Sequence, residues 1–569
     1  MSNFSFSNVP VIKHSRSRFD LSHGVKTSAN VGTLFPFELQ EVYAGDTFKV
    51  RTSCVTRLAS NFIKPVMDNL FLDVYYFFVP SRLLYDKFVN VFGENTESAW
   101  ANTADYEVPA IPVLNDISGE EDNGVFSGSV ADYFGLPITK NDKPYASYNV
   151  SVLPFRAFAK VYNEWFRDQN NIPPMHIQTG EYSSSEYINS APWSPSNYTG
   201  MPPKVAKFHD YFTSCLPAPQ KGPGVDLPVQ SFSNVPVYTG SSHTSSVSSL
   251  PGIAAIPKVG EPQDNGSIVW SAGDGVTNNS IVLGAKEIDG GTSGTSLGDI
   301  VPINLWANTS SLTPEAVSVN DLRFAFQYQK MLERDARSGS RYVEYLQSHF
   351  GVSAGDYRLQ RSEFLGGNRS PISIHQVTQT TGANSDSSPL AEVGAFSLTN
   401  SKSRFTKSFV ENGYVLGVAC IRQFHTYQQG IDKLWSRFKR TDFYDPVFSH
   451  IGEQPVYKKQ LYVGVSEDEL DEVFGYNEAW AELRSTPSRV TAKMHTGVSG
   501  SYDVWHFADN YSSAPVLSQT FIEETPQYVD RTIGIPSTTD DQFILDFYIN
   551  NIAYRPLPTY SVPSLVDHD

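Results

Sequence analysis

Cysteine is nearly missing from this chain: three residues in 569, at Cys54, Cys215 and Cys420. None belongs to a C-x-x-C pair, and three widely spaced thiols cannot build a disulfide framework. Buried free thiols in a reducing compartment are expected instead. Long apolar runs are missing too. The strongest, Leu70 to Val79, contains Asp73 and falls short of the ~20 residues that cross a bilayer, so no membrane partner is expected. Met1 to Ser7 shows no basic start followed by an apolar stretch, so export by a signal peptide is not expected. Synthesis and assembly in the cytosol follow as the expectation.

Catalytic patterns are equally scarce. The twelve histidines never fall three or four apart, so the H-E-x-x-H zinc pattern is absent. No G-x-x-x-x-G-K-[ST] phosphate loop occurs, and Gly273-Asp274-Gly275 lacks the third glycine of a dinucleotide fingerprint. Glu523 and Glu524 are neighbours, and adjacent residues on an extended chain face opposite ways, which makes a poor acid/base pair. The run Glu467, Asp468, Glu469, Asp471, Glu472 could attract a hard cation but reads first as a solvated face or a helix start. No catalytic, cofactor-binding or metal-binding residue is assigned, and an enzyme is not expected.

What the chain does have is bulk. Aromatic content is 13% against only 18% charged residues, a balance that opposes disorder and suits a protein with much surface to bury, including surface against other subunits. The 36 prolines and 39 glycines interrupt it too often for a helical bundle and fit short strands with long connections. Formal net charge is −17, which opposes binding of nucleic acid by the whole surface but not by one basic face.

Strand signals recur throughout. Thr47 to Arg51 alternates as a half-exposed strand does. Leu70 to Val79 is nearly continuous apolar and reads as a central strand covered on both faces, and Tyr414 to Ile421 is similar, entered through the turn dipeptide Asn412-Gly413. Near the end Phe543, Leu545, Phe547 and Ile549 alternate with Ile544, Asp546, Tyr548 and Asn550. Pairing strands this far apart needs Greek-key or jelly-roll connections. Two helices are predicted. From Pro154, residues Phe155, Phe158, Val161, Tyr162, Trp165 and Phe166 share one face. A second runs from about Asp321 to Phe350, broken near Gly339, with Leu322, Ala325, Phe326, Gln329 and Leu332 as its inner stripe and Gly351 placed to end it. Both stripes read as core packing, with subunit contact as the alternative.

Residues 222–300 stand apart from the rest, 1–221 and 301–569. These 79 residues hold 13 of the 39 glycines, two lysines against seven carboxylates, and only three aromatics, Phe232, Tyr238 and Trp270. Such a segment cannot build a large core by itself. It reads either as a disordered linker or as a surface protrusion that packs against neighbouring copies.

Basic residues are uneven. Residues 402–440 carry Lys402, Arg404, Lys407, Arg422, Lys433, Arg437, Lys439 and Arg440 against Glu411 and Asp432, interleaved with Phe405, Tyr427, Trp435 and Phe438. Cations beside aromatics suit unpaired nucleic acid; pairing with acidic surface on another subunit suits them as well. The amino terminus adds Lys13, Arg16, Arg18 and Lys26 against Asp20, an arm fit to lie along a neighbour or along nucleic acid.

Several longer runs carry a resemblance. Ser17-Arg18-Phe19-Asp20-Leu21-Ser22-His23, Asn163-Glu164-Trp165-Phe166-Arg167-Asp168-Gln169-Asn170, Asp210-Tyr211-Phe212-Thr213-Ser214-Cys215-Leu216-Pro217, Leu332-Glu333-Arg334-Asp335-Ala336-Arg337, Phe405 to Gly417, and Tyr560 to His568 occur in order. Together they resemble the major capsid proteins of the Microviridae, most closely the gokushovirus branch, and the likeness weakens only over 222–300. The resemblance implies a mainly β fold, an eight-stranded antiparallel jelly roll with long inter-strand insertions that include helices. It implies self-assembly through pentamers into a T=1 icosahedral shell of sixty copies around circular single-stranded DNA. An internal scaffolding protein, a small basic DNA-binding protein and a minor pilot protein are the implied partners, and the virion the implied location. The insertion would form protrusions at the threefold axes, making Phe232, Tyr238 and Trp270 candidates for contact with a host surface receptor. The rival reading from composition alone is a carbohydrate-binding or glycoside-hydrolase-like β-sandwich, which as an enzyme would need two carboxylates across a cleft.

Overall fold

Ten strands form the two larger sheets: β1 (Ser17–Asp20), β2 (His23–Ala29), β3 (Phe35–Val42), β4 (Thr47–Leu58), β5 (Leu70–Pro80), β6 (Glu363–Pro371), β7 (Ile374–Thr378), β8 (Val393–Ser408), β9 (Gly413–Gln423) and β10 (Phe543–Arg555). The computed structural model describes residues 15–92, 106–114, 124–139, 146–181, 187–224, 237–239, 255–257, 300–302, 305–307, 319–338, 341–353, 355, 360–378 and 393–560. Six strands make one sheet, in the order β10-β4-β8-β7, with β1 and β2 both pairing along the free edge of β10. Four make the other, in the order β6-β5-β9-β3. Every pairing in both sheets is antiparallel. The chain changes sheet at β2–β3, β3–β4 and β4–β5, and again through β7 and β8 to β9 and on to β10. This crossing habit is that of Greek-key and jelly-roll sandwiches, and the mainly β fold expected from the sequence is what forms.

The two kinds of strand pattern have one cause. β5 and β9 lie inside the four-stranded sheet, whose two faces are both covered, so nearly every side chain on them is apolar and buried. One face meets the six-stranded sheet, where the Phe37 and Phe547 rings stack at 4.2 Å and the Tyr76 hydroxyl bonds the Thr52 hydroxyl. The other face packs Phe77, Leu416 and Val418 against Phe155 and Phe158 of α1 (Leu153–Val161). Among the described residues the six-stranded sheet has only its inner face covered. Its long strands β4, β8 and β10 therefore alternate, buried Phe543, Leu545, Phe547 and Ile549 of β10 being the clearest case.

The helix expected from Pro154 is α1, continued by a π turn at Tyr162–Phe166. Its stripe is core, as predicted. The expected break near Gly339 separates α2 (Val319–Ser338) from α3 (Tyr342–Phe350), and Gly351 ends α3 with φ of 68°. The stripe on α2 departs from expectation. Leu322, Ala325, Gln329 and Leu332 are only half-buried and Phe326 is exposed, so this helix is not core-packed in the isolated chain. The three thiols are free and buried, and burial pushes each up to about 12.

The chain divides into two compact units, Met1–Gly222 with Leu332–Asp569, and Pro223–Met331. Within the second, Val237–Thr239 pairs with Leu305–Ala307 and Ala255–Pro257 with Ile300–Pro302. Among the described residues no helix is long and apolar enough to cross a membrane.

Candidate nucleic-acid interface and assembly surface

The uncovered face of the six-stranded sheet is basic. Period-two alternation turns Phe48, Val50, Thr52, Cys54 and Thr56 of β4 inward and leaves Lys49, Arg51 and Arg57 outside. On β8 the same alternation buries Ser401, Ser403 and Phe405 and exposes Lys402 and Arg404. Arg18 and Lys26 extend the face along β1 and β2. Against these seven cations the strands of this face set two carboxylates, Asp20 and Asp546, and Asp546 is 3.4 Å from Lys26. The ladder register places Arg404 opposite Arg51 and Lys402 opposite Ser53. Rings stand among the cations: the Lys49 ammonium lies 5.3 Å from the Tyr554 ring, Tyr548 is exposed on β10, and His375 stacks on Phe396 at 5.3 Å.

The basic residues singled out in the sequence fall into separate places. Lys402, Arg404 and Arg18 are on this face. Arg16 is exposed beside it, its guanidinium 3.5 Å from the Thr47 hydroxyl; Lys13 lies outside the described residues. Lys407 is held by Glu363 at 2.6 Å. Arg422 donates to the fully buried Asp73, its Nε at 3.1 Å, and Arg369 donates to the same carboxylate at 2.7 Å, with both guanidiniums laid over the Phe208 ring. Lys433 and Arg437 share Glu482, at 3.6 and 2.9 Å. Lys439 and Arg440 are exposed, with the Asp442 carboxylate accepting from the Lys439 amide at 2.8 Å. Proximity in sequence thus scattered over five environments. Lys49, Arg51 and Arg57 were missed because charge was counted along segments and not across paired strands. Of the insertion aromatics, Phe232 and Trp270 lie outside the described residues, and Tyr238 belongs to the strand Val237–Thr239.

A second charge cluster is structural. His425 Nδ1 is 2.7 Å from Asp509 and its Nε2 is 3.1 Å from Glu524. Lys207 reaches Asp509 at 3.4 Å and the Tyr511 hydroxyl donates to it at 2.8 Å. Burial works against the imidazolium, but the flanking Glu524 and Asp509 outweigh it and hold the ring up to about 9. Asp509 is correspondingly lowered against its own burial by His425 and Lys207. His425, Lys207, Asp509 and Glu524 are all closed off from solvent. The cluster ties together loops around 207, 425, 509 and 524; it offers no access for a substrate.

Large apolar side chains are meanwhile left outside, most densely between Ile431 and Ile451. A chain with buried charges satisfied internally, one bare basic face and much exposed apolar surface is suited to assembly. Comparison with known proteins decides the matter. The family model described as capsid protein (F protein) matches residues 7–565. The chain belongs to this phage capsid protein family. It is 36% identical to the capsid protein VP1 of Chlamydia phage 1 over 98% of its own length and 97% of that protein's. It is 36% identical to the capsid protein VP1 of Spiroplasma virus 4, covering 97% and 95%, and 35% identical to that of Bdellovibrio phage phiMH2K, covering 98% and 97%. As a member of the microvirus capsid family it is a structural protein of the virion, not an enzyme, and copies of it assemble into a capsid that encloses the genome. The carbohydrate-binding or hydrolase reading finds no support.

Proposed function

We propose that sixty copies, joined first as pentamers, close a T=1 shell around circular single-stranded DNA, and that the bare face of the six-stranded sheet turns toward that DNA. The observation that carries the second part is the opposition of Arg404 and Arg51 within a face of seven cations. Like charges directly opposed across a ladder destabilise it, and a phosphate between them reverses the sign. Exposed Tyr548 and half-buried Tyr554 beside the cations give unstacked bases a surface to lie on without sequence preference. A net charge of −17 leaves most of the phosphate charge to other partners, which fits a small basic DNA-binding protein inside the shell. Scaffolding and pilot proteins and assembly in the host cytoplasm complete this reading. Arg16 and Arg18 extend the same basic face.

Charge reversal at Lys49, Arg51, Lys402 and Arg404 should lower the DNA content per particle more than it lowers the number of particles, read by nuclease-protected DNA and by sedimentation. Equal loss of both would transfer this face to subunit contact. Residues 222–300 are proposed as the threefold protrusion that meets the host surface. Their deletion should abolish adsorption while shells still form; unchanged adsorption would sink that assignment.

A further inference from the structure

A cavity of about 650 Å³ opens on the α1 side of the four-stranded sheet, where Tyr75 and Phe77 of β5, Phe364 and Arg369 of β6 and Arg422 of β9 line it. That volume is typical of pockets that take small organic ligands. One wall is a single stretch of chain, residues 165–170. The stretch begins in the π turn that continues α1, and such turns recur at functional sites. Trp165 and Phe166 also pack on the core, but Arg167 to Asn170 serve neither the core nor the basic face.

Phe364 is 42% exposed and its ring lies 6.1 Å from Tyr75, 5.6 Å from Phe77 and 5.9 Å from Trp165. Phe166 completes the group, 6.0 Å from Tyr75. Rings alone would attract an organic cation, but the charges here exclude one. Arg167, Lys207, Arg341, Arg369 and Arg422 line the cavity against Asp168 and Glu344. Both carboxylates are spent locally. Asp168 accepts from the Asn170 and Asn171 amides at 3.0 and 2.8 Å, and Glu344 from Arg341 and Gln169 at 3.1 and 2.7 Å. Behind the wall, Asp509 and Glu524 balance Lys207 together with His425. Asp73 alone balances both Arg369 and Arg422. One positive charge is left over.

Two guanidiniums also keep unused N–H groups. Arg369 binds Asp73 through Nε and Nη2, and its Nη1 has no partner among the described residues. Arg167 gives Nη1 to the Asp168 and Ile172 carbonyls and bonds no carboxylate among the described residues. Burial and the neighbouring Arg341 hold it below the usual arginine range, a strain that an anion in the cavity would relieve.

We propose that this cavity binds a free mononucleotide, with the base on the ring wall and the phosphate among the arginines. Guanidiniums take phosphate through paired N–H groups, and rings take a base whatever its identity. An acidic sugar would need unspent acceptors for its hydroxyls, which Asp168 and Glu344 do not supply. That the nucleotide is free rests on the orientation proposed above: the bare face of the six-stranded sheet meets the DNA, and the cavity lies behind the other sheet. Binding also reaches α3, since Arg341 donates to the Asn163 and Arg167 carbonyls at 2.9 and 3.2 Å.

The test is calorimetric titration of the unassembled full-length chain with deoxyadenosine monophosphate. One site per chain is expected, and saturation should raise the melting temperature. Adenosine, inorganic phosphate and glucuronate should each bind at least tenfold more weakly. Phe364→Ala should weaken nucleotide binding about tenfold, the loss of one base–ring stack, and Arg167→Gln should do the same. Both variants should bind oligothymidylate like the parent, whereas Arg51→Gln should weaken oligothymidylate and leave the mononucleotide unchanged. Melts without ligand check that each variant folds. The proposal fails if the parent shows no mononucleotide binding, if phosphate or glucuronate binds as tightly, or if mononucleotide binding follows Arg51 and not Phe364. Loss of oligothymidylate binding in Phe364→Ala would make the guest a nucleotide of the genome and overturn the free-ligand assignment. Failure of the DNA-facing assignment looks different: oligothymidylate binding would be indifferent to Arg51→Gln while mononucleotide binding stayed intact.

Discussion

Arg404 stands directly across from Arg51 in the β4–β8 ladder, and both side chains are exposed. Among the described residues neither meets a carboxylate. An isolated sheet gains nothing from this pairing, which costs a few tenths to ~1 kcal/mol. Arg51→Gln should therefore raise the stability of the unassembled subunit by ~0.5 kcal/mol while weakening its hold on DNA. Denaturant midpoints check the first effect. Titration with an oligothymidylate at several salt concentrations checks the second: the slope of log K against log[salt] should shrink by ~0.7 for each phosphate the variant no longer neutralises. An unchanged slope would mean that the face does not touch DNA.

The buried His425 predicts a pH dependence of stability. Its folded-state value is raised from 6.5 to about 9 by Glu524 and Asp509 acting against burial. A raised value means that the folded chain binds the proton more tightly than the unfolded one. The stabilisation is complete below pH 6.5, declines as the pH rises, and is gone once it passes 9. His23, raised to about 9 by its hydrogen bond to Glu38, contributes in the same window. The melting temperature of the subunit should fall across this range. His425→Gln should flatten the fall to the part owed to His23, and should itself destabilise by about 3 kcal/mol by leaving two buried carboxylates short of a counter-charge. A profile unchanged in the variant would show that the ring is neutral throughout.

Much of this was readable from residue order. β5 and β9 are covered on both faces, so their apolar runs are continuous; β4 and β10 have one bare face, so theirs alternate. Burial imposes itself on each residue of a strand separately, and a sequence records it directly. The basic face was only half legible. Lys402 and Arg404 lie in a segment rich in cations, but Arg51 joins them through a ladder that pairs residues more than 340 positions apart. Nothing in the local composition around Arg422 signals that it is spent on Asp73, nor around Arg437 that it is spent on Glu482. The α2 stripe misled for a related reason. Helical periodicity shows that a face wants cover, not whether the cover comes from the same chain, and Phe326 is exposed.

Asp73 holds two guanidiniums at once and is fully buried in β5. Removing its charge leaves Arg369 and Arg422 facing each other over the Phe208 ring. Asp73→Asn should cost about 3–5 kcal/mol, the usual effect of breaking a buried pair from one side. Adding Arg422→Met should recover part of that loss, because Arg422 is the more enclosed of the two cations while Arg369 can still reach water. Urea unfolding of the single and double variants gives the comparison. A double variant as unstable as the single one would mean that hydrogen-bond geometry, and not unbalanced charge, sets the penalty.

The turn between β2 and β3 bears on the same charge cluster that holds His425. Gly32 has φ of 84°, and a methyl group there would collide with the Glu524 carbonyl. Its amide donates to Ile421 at 2.9 Å and its carbonyl accepts from Val205 at 2.8 Å, so the turn cannot move aside without breaking both bonds. Gly32→Ala must strain the backbone or displace residue 524, and should destabilise by about 2 kcal/mol or more. If residue 524 is what yields, its carboxylate loses its hold on His425. The loss from Gly32→Ala and the loss from Glu524→Gln should then overlap, the double variant being less unstable than the two effects added together. Strict additivity would place the strain in the turn alone and leave the ion cluster intact.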